Sequence, residues 1–199
     1  MTQTVDFIFD FASPNAYLAH RALTMIADRT GAKINLIPCL LGGIFKSTGN
    51  QAPMIAFSGV KGKLDYEMLE MRRFIEEHDL SGFKMNPHFP VNSLTIIRGL
   101  IAAQQSGVEE PYVEAVLKAM WEDGENMADE AVIRSVLSDA GLDADGILEA
   151  TKSAEVKTVL IGNTNDAVAR GVFGVPTFFV GDEMFFGKDR LHQVEKALG

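Results

Sequence analysis

Ser13-Pro14 sits where an apolar run ends and a helical periodicity begins. A helix start carries backbone N–H groups without partners, and here a hydroxyl is added to them. Ser is a favoured N-cap and Pro a favoured first helical residue, so the pair reads as a well-made helix start. The same geometry is also an anion site, because N–H groups, the positive end of the helix dipole and a hydroxyl donor converge on one point. Val175-Pro176-Thr177-Phe178 is the second informative stretch. A proline opening a strand is either an ordinary strand-start residue or the second half of a cis peptide, whose exposed backbone can pair with an extended, peptide-like ligand. Asp189, in Gly187-Lys188-Asp189-Arg190, stands at the expected N-cap of a closing helix, where a carboxylate can also receive an ammonium group. Asn50 follows Gly49 in the glycine-rich segment from Gly42 to Ala52 and reads as a turn residue. Lys46 in that segment is either a solvated charge or a cation for a carboxylate.

Other chemistries are excluded by what the chain lacks. A single cysteine, Cys39, permits neither an intramolecular disulfide nor a Cys-based zinc site, and beside Pro38 it reads as inert core. His20, His78, His88 and His192 share no ligand spacing, so no metal is expected. There is no phosphate-binding glycine loop of either common type. The 199 residues carry 18 Lys+Arg against 27 Asp+Glu, a formal charge of −9, which argues against nucleic acid as a partner. No apolar run reaches the length of a membrane span, and the start lacks the basic and apolar parts of a secretory signal. A reducing cytoplasm is the expected setting.

These side chains need a scaffold, and its outline is readable. The apolar run Val5 to Phe11 reads as a buried strand, and Tyr17, Leu18, Ala22, Leu23 and Ile26 recur at helical spacing until Gly31. Lys33 to Pro38 is a second strand, so the first forty residues form a βαβ unit with a parallel pair. From Pro53 to about Thr158 the patterns are helical. One face is Leu64, Met68, Met71 and Ile75; another is Leu94, Ile97, Ile101 and Ala102; a third is Val113, Val116, Leu117 and Met120. A fourth is Ala131, Val132, Ser135 and Val136, with Asp129-Glu130 at its helix start. Asn92 or Ser93 reads as a helix N-cap. Gly174 to Val180 and Met184 to Phe186 form a hairpin, and a last helix turns Leu191, Val194 and Leu198 inward. The expected architecture is α/β, with residues 1–40 and 160–199 sharing one sheet and residues 41–159 inserted as an all-helical part. In thiol-redox proteins of this topology a Cys-x-x-Cys motif occupies the first helix start. Here the four residues are Ser13-Pro14-Asn15-Ala16, with oxygen in place of sulfur.

Five segments in register extend the reading: Phe9-Asp10-Phe11-Ala12-Ser13-Pro14; Gly42-Gly43-Ile44-Phe45-Lys46 with Thr48-Gly49-Asn50; Asn86-Pro87-His88-Phe89-Pro90-Val91-Asn92; Gly171 to Phe178; and Phe186-Gly187-Lys188-Asp189-Arg190-Leu191. Together they resemble the 2-hydroxychromene-2-carboxylate isomerases, which belong with the kappa-class glutathione transferases in the DsbA-like thioredoxin superfamily. The resemblance covers nearly the whole chain. It implies a thioredoxin-like domain with an inserted helical domain, glutathione as cofactor and a homodimer. It also implies roles: Ser13 facing the glutathione sulfur, Asn50 and the Val175 backbone beside Pro176 holding the tripeptide, Asp189 at its γ-glutamyl end, and Lys46 near an aromatic acid. The activity implied is isomerisation of an aromatic oxo-acid by reversible thiolate addition, bond rotation and elimination. Two alternatives stay open, a kappa-type transferase or peroxidase acting on other electrophiles and a non-catalytic glutathione- or peptide-binding module.

Overall fold

The computed structural model describes residues 3–199. Strand β1 (Thr4–Phe9), helix α1 (Pro14–Thr30) and strand β2 (Lys33–Pro38) form the expected βαβ unit, its strands parallel with Phe7 opposite Leu36. Pro14 presets the helical φ at the start of α1, and Gly31 closes it with φ 69° while its N–H returns to Ala27 O. The chain continues through α2 (Leu41–Thr48), α3 (Pro53–Ala56), α4 (Lys63–Glu77), α5 (Leu94–Gln105), α6 (Glu109–Lys118), α7 (Glu130–Asp139), α8 (Ala144–Ala150) and α9 (Ala154–Ala169). It ends in β3 (Thr177–Val180), β4 (Glu183–Phe186) and α10 (Leu191–Leu198). The sheet order is β2-β1-β3-β4, and β3 is antiparallel to both its neighbours. Both β-containing ends therefore share one sheet, as expected. Helix α9 runs unbroken through position 160 and packs on β2 as well as on α2 and α5, so it belongs to the sheet and to the helical block alike.

One apolar cluster joins Val5, Phe7 and Phe9 to α1, α5 and α6. Two expected helix faces are rotated. In α4 the buried residues are Met71 and Phe74, both in its C-terminal half, while Met68 is exposed because the first turns extend away from the core. In α7 the inward pair is Ile133 and Leu137, the larger side chains facing α6 and α8, whereas Ala131 and Ser135 are exposed. Helix α6 runs on into a π-helical turn, Ala119–Asp123, which carries the fully buried Trp121 inward; no sequence pattern announced that turn.

His20 lies against the rings of Phe7 and Phe9, and its Nδ1 is enclosed without a hydrogen-bond partner. Burial, aided by the positive charge of Arg21, pulls its pKa down to about 4. Between pH 6.5 and 4 the unfolded chain therefore binds a proton that the folded chain refuses, so stability falls as the pH drops through that window. The loss attributable to this one imidazole is roughly 3 kcal/mol by pH 4. Chemical denaturation at pH 7 and pH 4.5 should show a smaller difference for His20→Phe than for the parent. Equal pH dependence in the two proteins would exclude His20 as the source.

Candidate active site

The start of α1 is held by Ser13 itself. Its Oγ accepts the N–H of Ala16 at 3.2 Å, and its carbonyl accepts from Ala16 and Tyr17. Pro14 brings no N–H, which leaves the Asn15 amide as the open donor of the first turn. The Ser13 hydroxyl, 6% exposed, also reaches the Val175 carbonyl at 3.5 Å, the outer limit of a hydrogen bond. The Val175–Pro176 bond is cis, which resolves the alternative left open by the sequence; Phe89–Pro90 is a second cis bond that the sequence reading did not anticipate.

The segment between α9 and β3 that carries Val175 is tied down at several points. Thr177 Oγ1 donates to Gly174 O at 2.8 Å, and Gly187 N donates to Pro176 O at 2.9 Å. Among the described residues the Val175 N–H has no acceptor, so a backbone donor stands open next to the Ser13 contact. Asn50, just past the C-terminal end of α2, donates from Nδ2 to Phe173 O at 2.7 Å. A Cβ on Gly174 would come within 3.1 Å of the Phe186 ring and 4.0 Å of Asn50 Nδ2, so glycine keeps these elements close. The Phe173 and Phe186 rings meet at 4.5 Å between centroids, and both remain partly open to solvent. Ser13, Asn50, Val175 and Pro176 are thus brought to one loop.

Asp189 is not the N-cap expected of it. It lies inside a 3-10 turn, Lys188–Arg190, that precedes α10, and neither that turn nor α10 has a side-chain cap. The physical reason is its neighbour. Lys188 is 6% exposed, sets its ammonium 5.0 Å from the centre of the Phe74 ring, and donates to Asp189 Oδ1 at 2.6 Å. A buried ammonium requires a counter-charge, and the adjacent carboxylate supplies it while most of the Asp189 side chain stays exposed. At α5 the cap is shared differently from the reading. Ser93 is the N-cap by position but makes no side-chain cap bond, and Asn92 Oδ1 accepts the Leu94 N–H at 3.0 Å.

Two positioning residues escaped the sequence reading. Asp10 is fully buried and accepts from Ala12 N at 3.0 Å and from Leu41 N at 2.7 Å, clamping the approach to Ser13 onto the start of α2. Burial raises its pKa, while those two amides and Ser93 pull the other way. An acid inside the apolar run Phe7 to Phe11 was the available signal. Trp121 Nε1 donates to Phe11 O at 3.0 Å and so fixes the same approach from the helical side. Cys39 is buried, donates to Asn163 O at 3.4 Å and has its thiol pushed up to about 12, mainly by burial, so it is the inert residue expected. Lys46 lines a recess between α2, α5 and α9 to which none of Ser13, Asn50, Val175 or Pro176 contributes. Among the described residues no group of three or more His, Cys, Asp or Glu could hold a metal ion, and no helix is long and apolar enough to cross a membrane.

This geometry offers a donor-rich point for an anion beside one open backbone donor, the Val175 N–H, with an exposed carboxylate on the turn before α10. The family model described as a DSBA-like thioredoxin domain matches residues 4–199. A 2-hydroxychromene-2-carboxylate isomerase of Sphingobium xenophagum is 32% identical over 200 residues, covering 100% of this chain and 99% of that protein. A solved structure of a 2-hydroxychromene-2-carboxylate isomerase superposes with a TM-score of 0.83 at 32% identity, covering 98% of this chain and 94% of the other. Glutathione S-transferase kappa 1 of Homo sapiens is 25% identical over 217 residues, covering 100% of this chain and 92% of that protein. With the whole chain aligned and the fold in agreement, the protein belongs to the 2-hydroxychromene-2-carboxylate isomerase family of DsbA-like thioredoxin proteins.

Proposed function

We propose that the protein is a glutathione-dependent isomerase of 2-hydroxychromene-2-carboxylate-type aromatic oxo-acids. The observation that carries this reading is the Ser13 hydroxyl at the α1 N-terminus, aimed at the cis-proline loop, in a chain 32% identical to isomerases of that name. The residues present fit glutathione. Val175 N–H is an unused donor for an extended peptide, Asn50 bears an amide beside it, and Asp189 offers an exposed carboxylate for the γ-glutamyl ammonium. When bound, glutathione supplies a thiolate that adds reversibly to the unsaturated oxo-acid, so that a locked double bond can rotate before elimination restores it.

The role of the protein side chains follows from the state of that thiol. An ordinary thiol has a pKa near ~8.5 and is only a few per cent ionised at neutral pH. The helix N-terminus and the Ser13 hydroxyl favour the anion, together by about 1–3 kcal/mol. The hydroxyl turns toward the sulfur at small cost, because its 3.5 Å contact with Val175 O is weak. The Phe186 ring packs against Gly174 of the same loop and meets Phe173, giving the site an apolar edge. A reducing cytoplasm suits a cofactor that works as a free thiol. The homodimer is also part of this proposal, supported by the exposed Met54, Ile55, Phe57, Val60, Tyr66 and Met68 of the α3–α4 region, which would cover one another's apolar surface.

A second reading, a kappa-type transferase acting on other electrophiles, is favoured by the human relative. Both are separated by one set of assays. Conversion of 2-hydroxychromene-2-carboxylate is expected with reduced glutathione and not with S-methylglutathione, whose blocked sulfur cannot ionise, and an aryl halide is expected to be a poor substrate. Conversion without glutathione would overturn the cofactor assignment, and efficient aryl-halide conjugation alone would make the protein a transferase.

A further inference from the structure

The recess that holds Lys46 has a volume of about 480 Å³ and lies between α2, the Leu94–Arg98 end of α5 and the Lys157–Asn165 stretch of α9. Three of its side chains are cations, and no acid lines it. Among the described residues, Lys46, Arg98 and Lys157 enter no ion pair, although the chain as a whole carries a net charge of −9 and pairs nine of its other Lys and Arg side chains. Arg98 is the decisive one. Its Nε is enclosed by the fold and has no hydrogen-bond partner, an expensive state for a guanidinium unless an acceptor completes it. Leu40, Leu94, Leu160 and Ile161 give the recess an apolar wall beside the neutral polar Ser47, Thr164 and Asn165, and Ile161 is 61% exposed. Thr164 makes no bond to Arg98; its hydroxyl accepts from Leu40 N and donates to Leu160 O.

We infer that this recess is a binding site for a small carboxylate with an apolar body, such as a benzoate, distinct from the groove around Ser13. The size suits one ring with a substituent. Arg98 would bind the carboxylate by charge-assisted hydrogen bonds, Lys46 and Lys157 would add charge at the opening, and Leu40, Leu94, Leu160 and Ile161 would cover the ring. An inorganic anion would satisfy the cations but leave the apolar walls wet. The inference does not rest on the glutathione reading, because none of the residues proposed to hold that cofactor lines the recess.

The test is an amide-resolved NMR titration of the full chain with salicylate, in the absence of glutathione, with salicylamide and sulfate as comparisons. Salicylate is expected to shift amides of residues 43–47, 94–98 and 157–165, whereas salicylamide and sulfate bind at least about tenfold more weakly. Arg98→Gln should weaken salicylate about tenfold, and Lys157→Gln by about three- to fivefold. Circular dichroism of each variant confirms that the fold is kept. S-methylglutathione should leave the salicylate affinity unchanged. Equal binding of salicylamide, no effect of either variant, or competition by S-methylglutathione would each overturn the inference, the last by placing the carboxylate in the Ser13 groove. These outcomes are independent of whether the isomerase assay succeeds.

Discussion

Ser13→Ala is expected to lower turnover by about ten- to a hundred-fold, the loss that follows when one hydrogen bond to a charged group is removed. The loss is partial because the helix N-terminus survives. Pro14 still starts α1, the Asn15 amide remains open, and the dipole is unchanged. Glutathione affinity should change far less than turnover, since Asn50, the Val175 backbone and Asp189 are untouched. The substitution also removes the Oγ that caps Ala16 N, which costs ~1 kcal/mol of stability. Ultraviolet titration of the bound thiolate separates these effects, and the variant should show a raised thiol pKa beside its reduced turnover. If titration and turnover match the parent while only stability falls, Ser13 is a helix cap and the proposed chemistry lies elsewhere.

The largest stability effect is expected from Gly99→Ala. Helix α5 is buried on most of its circumference, with Ile96, Ile97, Leu100 and Ile101 all in the core, and a glycine at its centre disfavours the helix unless something needs the space. Tyr112 of α6 needs it. Its ring is fully buried, its hydroxyl donates to Ile96 O at 2.8 Å, and a methyl group on Gly99 would fall on the phenol oxygen. Displacing the ring costs roughly 1–3 kcal/mol in overpacking, and stranding the buried hydroxyl costs about as much again. Alanine returns ~1 kcal/mol of helix propensity, so the net loss is about 1–5 kcal/mol, a large part of the stability of an ordinary domain. Urea unfolding measures it. Adding Tyr112→Phe removes the oxygen that clashes, and the double variant should recover about 1–2 kcal/mol over Gly99→Ala alone. A Gly99→Ala protein as stable as the parent would mean that Tyr112 moves freely and does not lock α5 to α6.

What the amino-acid sequence determined by itself was whatever is settled within a few residues. Pro14 and Gly31 bound α1 because a fixed φ and a left-handed φ act locally. The apolar spacing of Leu191, Val194 and Leu198 found the inward face of α10, and Asp129 caps α7 from the adjacent position, its Oδ1 accepting from Ala131 N. The βαβ start, the helical block, the hairpin and the closing helix, and with them the common sheet of the two chain ends, were readable from these local signals, as was the place of Ser13 at a helix start; helix α2, inside the glycine-rich segment, was not. The tertiary structure decided the rest, because the partners are far apart in the chain. Ser13 meets Val175 across 162 positions, and Trp121 reaches Phe11 across 110. Asp189 lost its capping role because Phe74, from a helix more than a hundred residues earlier, covers Lys188 and leaves its ammonium only the neighbouring carboxylate. Asp10 became a clamp because β2 delivers the Leu41 amide to it. Lys46 was recognisable as a cation. Only the packing of α2 and α5 on α9 brings it into one recess with Arg98 and Lys157, where three like charges stay together without a protein acid in the lining.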